Sequence, residues 1–265
     1  MCRYRGIFPV LAVLLAALVL PAGPAASWPA PPPDTNISPG DQVVTAGRTC
    51  TAGFVFTDRR HRTYVAYAAS CALAKGSPAV NTCGAQSLPL GTTVTFRDRG
   101  RTIGTGRLDW SSAAEMQRAG VTDRARCGAN DLALVRVVGR DRARTIPDPP
   151  YWGGPSRVAG LPVAGAMVFT VDRPTRRARA LPRVARLVAV HQRSAVISAR
   201  GTHRAVRGAG LVDGRGRAVG IVSRVADGRQ VVTGLAAATA WARSHGVPGL
   251  RLVPGTEPFE AVVVL

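Results

Sequence analysis

Short β-prone runs that stop at glycine, aspartate or arginine recur along this chain in two series. Each run is apolar or alternates apolar with polar residues, which is typical of strands that bury at least one face. The first series comprises residues 42–44, 53–57, 63–68, 92–97, 102–107 and 131–138. The second comprises residues 166–172, 185–191, 194–199, 210–212, 218–222 and 230–233. Many short strands separated by turns indicate an all-β sandwich or barrel.

A proline-rich segment separates the two series. Residues 146–151 read Ile-Pro-Asp-Pro-Pro-Tyr, which cannot continue a strand because proline lacks the amide donor. Residues 235–245 predict one helix, closed by Gly246 and Pro248. We therefore predict an all-β fold of two six-stranded antiparallel β-barrels with a C-terminal α-helix. Its parts are a first barrel over 42–145, a linker over 146–155, a second barrel and helix over 156–248, and a tail over 249–265.

The N-terminus predicts export. Arg3 and Arg5 precede an uncharged apolar run over residues 7–20, and small residues follow it. This is the pattern of a secretory signal peptide, which we assign to residues 1–26. A retained anchor is the weaker interpretation, since the run is shorter than the roughly 20 residues that span a bilayer. Residues 27–41 form a proline-rich, extended leader, and the mature protein is expected to be secreted.

Export gives the cysteines a structural meaning. Cys50, Cys71, Cys83 and Cys127 remain once the signal peptide is removed. In an oxidising compartment four cysteines predict two disulfides, and spacing alone allows three connectivities. The spacing lacks the short pairs and nearby histidines of a zinc site. We expect no metal and no cofactor.

Arginine dominates the charge of the chain. The formal net charge is +20 and Lys75 is the single lysine. Such a field attracts anionic surfaces, although a solvated face without a partner is the alternative interpretation. Few aromatic residues interleave with the arginines, which argues against specific nucleic-acid binding. The candidate partners are an anionic protein, a cell-wall polymer or a membrane surface. The candidate polyanion-binding residues are Arg173, Arg176, Arg177, Arg179, Arg183 and Arg186.

Several segments resemble exported bacterial trypsin-like (chymotrypsin-fold) serine proteases. Residues 68–71, Ala-Ala-Ser-Cys, resemble the turn that carries the family's catalytic histidine directly before a cysteine. Residues 130–135, Asn-Asp-Leu-Ala-Leu-Val, resemble the catalytic-aspartate segment, and residues 207–213 resemble the region of the Gly-Asp-Ser-Gly-Gly-Pro motif. The resemblance covers residues 42–248. It implies the two-barrel fold and a Cys50–Cys71 disulfide, with Cys83–Cys127 as the second pair.

The catalytic letters depart from the family pattern. Ser70 stands at the position of the histidine and Arg207 at the position of the nucleophile, and only Asp131 stays in register. Ala205 and Val206 replace the glycine and aspartate that usually precede the nucleophile, although backbone N–H groups over residues 205–207 would remain as oxyanion donors. Residues 223–225, Ser-Arg-Val, stand where a Ser-Trp-Gly-like run is common. The resemblance therefore implies an inactive homologue, a pseudoprotease, expected to act as a monomer.

Four histidines are candidates for a replacement base. His61 lies in a basic turn, His191 ends a predicted strand and His245 ends the predicted helix. His203 is the one close in sequence to Arg207, and a hydrolase needs a nucleophile, a base and oxyanion donors together. The alternative function is therefore a weak or rewired hydrolase that uses Ser198 or Thr202 with His203.

Asp131 needs donors of its own if no imidazole faces it. Ser70 is the natural partner, since it occupies the place from which the family aspartate is contacted. A second hypothesis is an Arg207–Asp131 pair that plugs the cleft with a charge-assisted hydrogen bond. The β-prone end of the tail, residues 259–265, either packs on its own chain or pairs with an exposed strand edge.

Overall fold

The computed structural model describes residues 36–77, 84–172, 181–198, 207–226 and 229–261. The strands of the first half are β1 (Gln42–Thr45), β2 (Arg48–Thr51), β3 (Val55–Thr57), β4 (Thr63–Tyr67), β5 (Thr93–Asp98), β6 (Arg101–Ser111) and β7 (Ala133–Val137). The helices there are α1 (Ser112–Arg118), α2 (Arg124–Ala129) and α3 (Gly139–Ala143). The second half holds β8 (Arg157–Val158), β9 (Met167–Asp172), β10 (Leu181–Val190), β11 (Ser194–Ile197), β12 (Gly210–Asp213), β13 (Arg217–Ala226) and β14 (Arg229–Gly234), then α4 (Leu235–Ser244) and β15 (Arg251–Leu252).

The second series of strands closes into a barrel. Its strands follow the order β12-β9-β10-β11-β14-β13, and β13 pairs with β12 to complete a six-stranded antiparallel ring. The short β8 adds outside this ring, parallel to β13. The predicted second barrel is thus confirmed.

The first series forms a larger sheet than expected. All six predicted strands are present, but β2 and β15 join them, and the described pairings run β15-β3-β4-β7-β6-β5-β1-β2. The six predicted strands are neighbours in this order, and β15 and β2 add one strand at each edge of the sheet. The sequence did not predict β2, because its hairpin turn is Ala46-Gly47, with both φ angles positive. An Asn-Gly pair is the usual sequence mark of such a turn.

The same aspartate-centred turn recurs in both halves. Asp58 accepts hydrogen bonds from the N–H groups two and four residues later and from Nε of Arg62. Asp213 accepts the equivalent bonds, with Arg217 as its side-chain partner. Both carboxylates are nearly inaccessible to solvent, and each fixes the turn that leads into the next strand.

The helix and linker tie the two halves together. One face of α4 is buried at Leu235, Ala238 and Ala242, which follows the 3.6-residue period of a helix. The main apolar core includes these residues together with strands of both halves. Within the predicted linker, Trp152 is buried and its indole N–H donates to the Thr170 carbonyl at 3.0 Å. No helix in the described part of the chain is long and apolar enough to cross a membrane.

The ends of the described chain pack more tightly than the sequence suggests. Ile37 is fully buried and its N–H donates to the Arg144 carbonyl. The proline-rich leader therefore does not stay apart from the fold over its last residues. In the tail, Phe259 packs edge-on against Phe169, with ring centroids 5.5 Å apart. The described part of the tail thus packs on its own chain, and the signal peptide lies outside the described residues.

Candidate functional site

Asp131 lies where the two halves of the molecule meet. It follows α2 directly and precedes β7, and its side chain is completely buried. The Asp131 N–H donates to the Thr233 hydroxyl on β14 at 3.2 Å. A carboxylate from the first half is therefore held against strands of the second half.

Ser70 supplies two of the hydrogen bonds that satisfy this carboxylate. It lies in a short 3-10 turn, Ala69–Ala72, which the Cys50–Cys71 disulfide ties to β2. Its N–H donates to Asp131 Oδ1 at 2.6 Å and its hydroxyl donates to Asp131 Oδ2 at 2.9 Å. The predicted contact between Ser70 and Asp131 is confirmed. Ser70 itself is fully buried, so its hydroxyl cannot reach a substrate.

Ser223 is the third donor, and the sequence did not predict this role. Its hydroxyl donates to Asp131 Oδ2 at 2.5 Å from β13, across 92 positions of sequence. In the sequence it is the first residue of the Ser-Arg-Val run, where the family commonly has Ser-Trp-Gly. The serine is the residue that this run shares with the family. That shared serine was the feature of the sequence that could have indicated a role at the site.

The environment of Asp131 pulls its protonation in two directions. Burial raises the pKa of the Asp131 carboxyl above its ordinary value of 3.8, because the charged form loses hydration. The hydrogen bonds from Ser223 and Ser70 and the positive charge of Arg207 act in the opposite direction, and burial outweighs them.

Arg207 acts on Asp131 through its charge, without a hydrogen bond. The carboxylate's described hydrogen bonds come from Ser70 and Ser223, so the predicted Arg207–Asp131 hydrogen bond is wrong. The Arg207 side chain is half-buried. Two serine hydroxyls and one N–H donate to the two carboxylate oxygens.

The backbone at Arg207 is fixed by close packing. The Thr51 N–H donates to the Arg207 carbonyl at 2.7 Å, and the Gly208 N–H donates to the Val222 carbonyl at 2.8 Å. Gly208 has φ of +91°, and a Cβ there would lie 2.1 Å from the Thr51 carbonyl oxygen. Only glycine fits this position. Ala205 and Val206, the other proposed oxyanion donors, lie outside the described residues.

The other histidines lie away from Asp131. His61 adopts a positive φ in the turn between β3 and β4, and His191 follows β10 at the surface. His245 caps α4, where its ring stacks on Trp241 with centroids 3.4 Å apart. None of the three is a hydrogen-bond donor to Asp131 among the described residues.

The alternative nucleophiles are only partly described. Ser198 follows β11, where its hydroxyl accepts the Arg186 N–H at 3.2 Å. This places it on the β10–β11 ladder of the second barrel. Thr202 and His203 lie outside the described residues, so the alternative hydrolase stays a prediction.

The disulfide and arginine predictions are tested in part. Cys50 and Cys71 are bonded, with Cα atoms 6.2 Å apart, as the resemblance implied. Cys127 is also disulfide-bonded, while Cys83, its predicted partner, lies outside the described residues.

Of the candidate polyanion-binding residues, Arg183 and Arg186 lie on β10. The remaining four, Arg173, Arg176, Arg177 and Arg179, lie outside the described residues. Over the ranges that the structure describes, no three Cys, His, Asp or Glu side chains group as metal ligands.

Comparison with solved structures identifies the fold. The chain aligns with a Glu endopeptidase solved in complex with MPD at a TM-score of 0.53 and 12% identity, over 80% of this chain and 91% of that one. It is also similar to Thermobifida fusca Protease A, with a TM-score of 0.48 and 18% identity over 83% and 99% of the two chains. No protein-family model and no curated protein sequence match the chain. The fold is therefore that of trypsin-like serine proteases, and the identities are too low to carry more than the fold.

Proposed function

We propose that this protein is a secreted pseudoprotease, which keeps the trypsin-like fold without proteolysis and acts by binding an anionic partner. The observation that carries the proposal is the hydrogen bonding of Asp131. Ser70 and Ser223 hydroxyls and the Ser70 N–H occupy the carboxylate. In a catalytic triad this carboxylate orients an imidazole. Here a serine stands at the imidazole's position and uses the same acceptor.

The nucleophile position supports the same conclusion. Arg207 stands there, and a guanidinium stays protonated and cannot attack a carbonyl. Ser70 offers a hydroxyl, but it is buried and donates its proton to a carboxylate of raised pKa. A carboxylate is too weak a base to activate a serine at neutral pH without an intervening histidine. The described part of the site therefore favours a binding function.

The charge of the chain supports an anionic partner. The formal net charge is +20, and long-range attraction of this kind raises the rate and strength of encounters with polyanions. Binding to a soluble polyanion such as polyphosphate should weaken markedly between about 0.01 M and about 0.15 M ionic strength, as screening shortens the Debye length. Binding that is indifferent to salt would contradict an electrostatic partner.

A fluorophosphonate probe tests the loss of catalysis. The wild-type protein should not be labelled and should not cleave generic peptide substrates. The double variant Ser70→His with Arg207→Ser is the matched positive control, because it returns both missing side chains to a site that keeps Asp131 and Ser223. Labelling of the wild-type protein that disappears in Ser198→Ala would overturn the proposal in favour of the rewired hydrolase.

A further inference from the structure

The loop that enters β9 is apolar throughout and faces solvent at its tip. Residues 161–167 read Leu-Pro-Val-Ala-Gly-Ala-Met, without one polar side chain. The tip comprises Val163, Ala164 and Gly165, all exposed, and Val163 is 78% accessible. The Ala166 N–H donates to the Val163 carbonyl, which closes a tight turn. An exposed turn without a polar side chain is a candidate contact surface.

An exposed apolar sheet face continues from this loop. Met167 on β9 is 43% accessible, and Val184 and Val188 on β10 are 39% and 47% accessible. The register pairs Arg186 with Met167 and Val184 with Phe169, which places Val184 diagonally beside Met167 on one face. We call Val163, Ala164, Met167, Val184 and Val188 the apolar patch. Leu187, between Arg186 and Val188, is 1% accessible and faces the barrel interior instead.

The border of the apolar patch is cationic. Arg186 is exposed, and its Nη1 donates to the Gly165 carbonyl at 2.7 Å, which holds the apolar turn against the sheet. Arg193, in the turn that follows β10, is also exposed. Residues 157–171 and 181–198 contain no aspartate or glutamate. A ligand of this surface would therefore be anionic at its border and apolar at its centre.

We propose that the apolar patch docks on an anionic lipid bilayer. The turn at Val163 would enter the boundary between headgroups and acyl chains, while Arg186 contacts lipid phosphate. A soluble polyanion could pair with the arginines but offers nothing to the five apolar side chains. This inference goes beyond the proposed function and does not depend on whether the cleft at Asp131 is catalytic.

Vesicle co-sedimentation with charge-matched variants tests the docking. The full-length mature protein should sediment with vesicles of phosphatidylglycerol and phosphatidylcholine, and much less with phosphatidylcholine alone. Val163→Asp should weaken this binding by about tenfold or more, since it removes apolar contact and adds a repelled charge. Val138→Asp is the control, because Val138 is 58% accessible, lies outside the apolar patch and precedes α3 at a position that accepts aspartate. It should bind within about twofold of wild type.

A second pair of variants separates lipid docking from general electrostatics. Arg186→Gln should weaken binding to the anionic vesicles more than Arg140→Gln, whose side chain is 93% accessible. Equal losses for Val163→Asp and Val138→Asp would overturn the proposal. So would vesicle binding that the same concentration of soluble polyphosphate abolishes in full. A dimer in solution that Val163→Asp dissociates would assign the apolar patch to a second copy of the chain and would likewise overturn it.

Discussion

Ser70 contacts Asp131 twice, with its N–H 2.6 Å from Oδ1 and its hydroxyl 2.9 Å from Oδ2. One residue thus occupies both oxygens of the carboxylate. The N–H contact depends on the backbone of the turn and would survive most substitutions at position 70. The hydroxyl contact depends on the serine, whereas in a catalytic triad the aspartate accepts from an imidazole.

Asp131→Ala should destabilise the protein by about 3 kcal/mol or more. The substitution leaves the Ser70 N–H and the Ser70 and Ser223 hydroxyls buried without their acceptor, and each unsatisfied buried donor costs about 1–3 kcal/mol. Urea unfolding measures the change. Asp123→Ala is the control, since Asp123 is an exposed N-cap carboxylate whose loss should cost about 1 kcal/mol. Equal costs for the two variants would contradict the assigned hydrogen bonds.

Arg207→Ala should change the free energy of unfolding by less than about 1 kcal/mol. Arg207 is half-buried and acts on Asp131 through charge alone, whereas breaking a hydrogen-bonded buried ion pair costs about 3–5 kcal/mol. The same urea titration distinguishes the two values. A loss of about 3–5 kcal/mol in the free energy of unfolding would instead indicate a hydrogen-bonded Arg207–Asp131 ion pair.

Asp213→Asn should cost more stability at pH 7 than at strongly acid pH. Burial alone would raise the pKa of Asp213, but hydrogen bonds and charge from Arg217 outweigh it and hold that pKa below 3.8. A lowered folded-state pKa gives stability that is present above 3.8 and is lost as pH falls through the folded value. Unfolding at several pH values measures the free energy of unfolding of wild type and variant. The difference between the two should become smaller below about pH 3.8. A difference that is constant across this range would count against the Arg217 contacts.

Asp131→Asn should show the opposite pH trend. Burial raises the pKa of Asp131 above 3.8, so the folded state holds a proton that the unfolded chain has released, and wild-type stability falls as pH rises above that value. The stability that Asp131→Asn loses relative to wild type should then be largest in acid and smaller at neutral pH. Parallel pH profiles for Asp131→Asn and Asp213→Asn would show that one of the two assignments is wrong.

Replacing Cys50 and Cys71 together by alanine should destabilise the protein by about 3 kcal/mol. The bond closes a segment with a sequence separation of 21, and the chain-entropy estimate for a loop of this size is close to that value. Thermal unfolding under oxidising conditions measures it. Reduction of the wild-type protein should lower stability at least as much, since it also opens the bond at Cys127.

The strand pattern predicted much of the fold because alternation and turn residues act locally. The six expected strands of each half are present, and α4 lies within the predicted residues 235–245. The missed strands β8 and β15 have only 2 residues each, which is too short to show alternation. Strand β15 forms because Arg251 and Leu252 pair with β3. This pairing is a tertiary contact between distant parts of the chain. The sequence likewise places Ile37 in the leader, because its burial depends on contacts with residues over 100 positions away, such as Thr145.

The sequence by itself determined which side chains occupy the site. Its resemblance to trypsin-like proteases predicts Ser70, Arg207 and Asp131 at the positions of the catalytic triad, because flanking residues align them along the chain. Only the tertiary structure decided which of them touch. The Ser223 hydroxyl, at the register shift between Val222 and Arg224 on β13, donates to Asp131, whereas the Arg207 carbonyl accepts from the Thr51 N–H. Hydrogen bonds form between atoms brought within about 3 Å, and for residues 92 positions apart only the fold sets that distance.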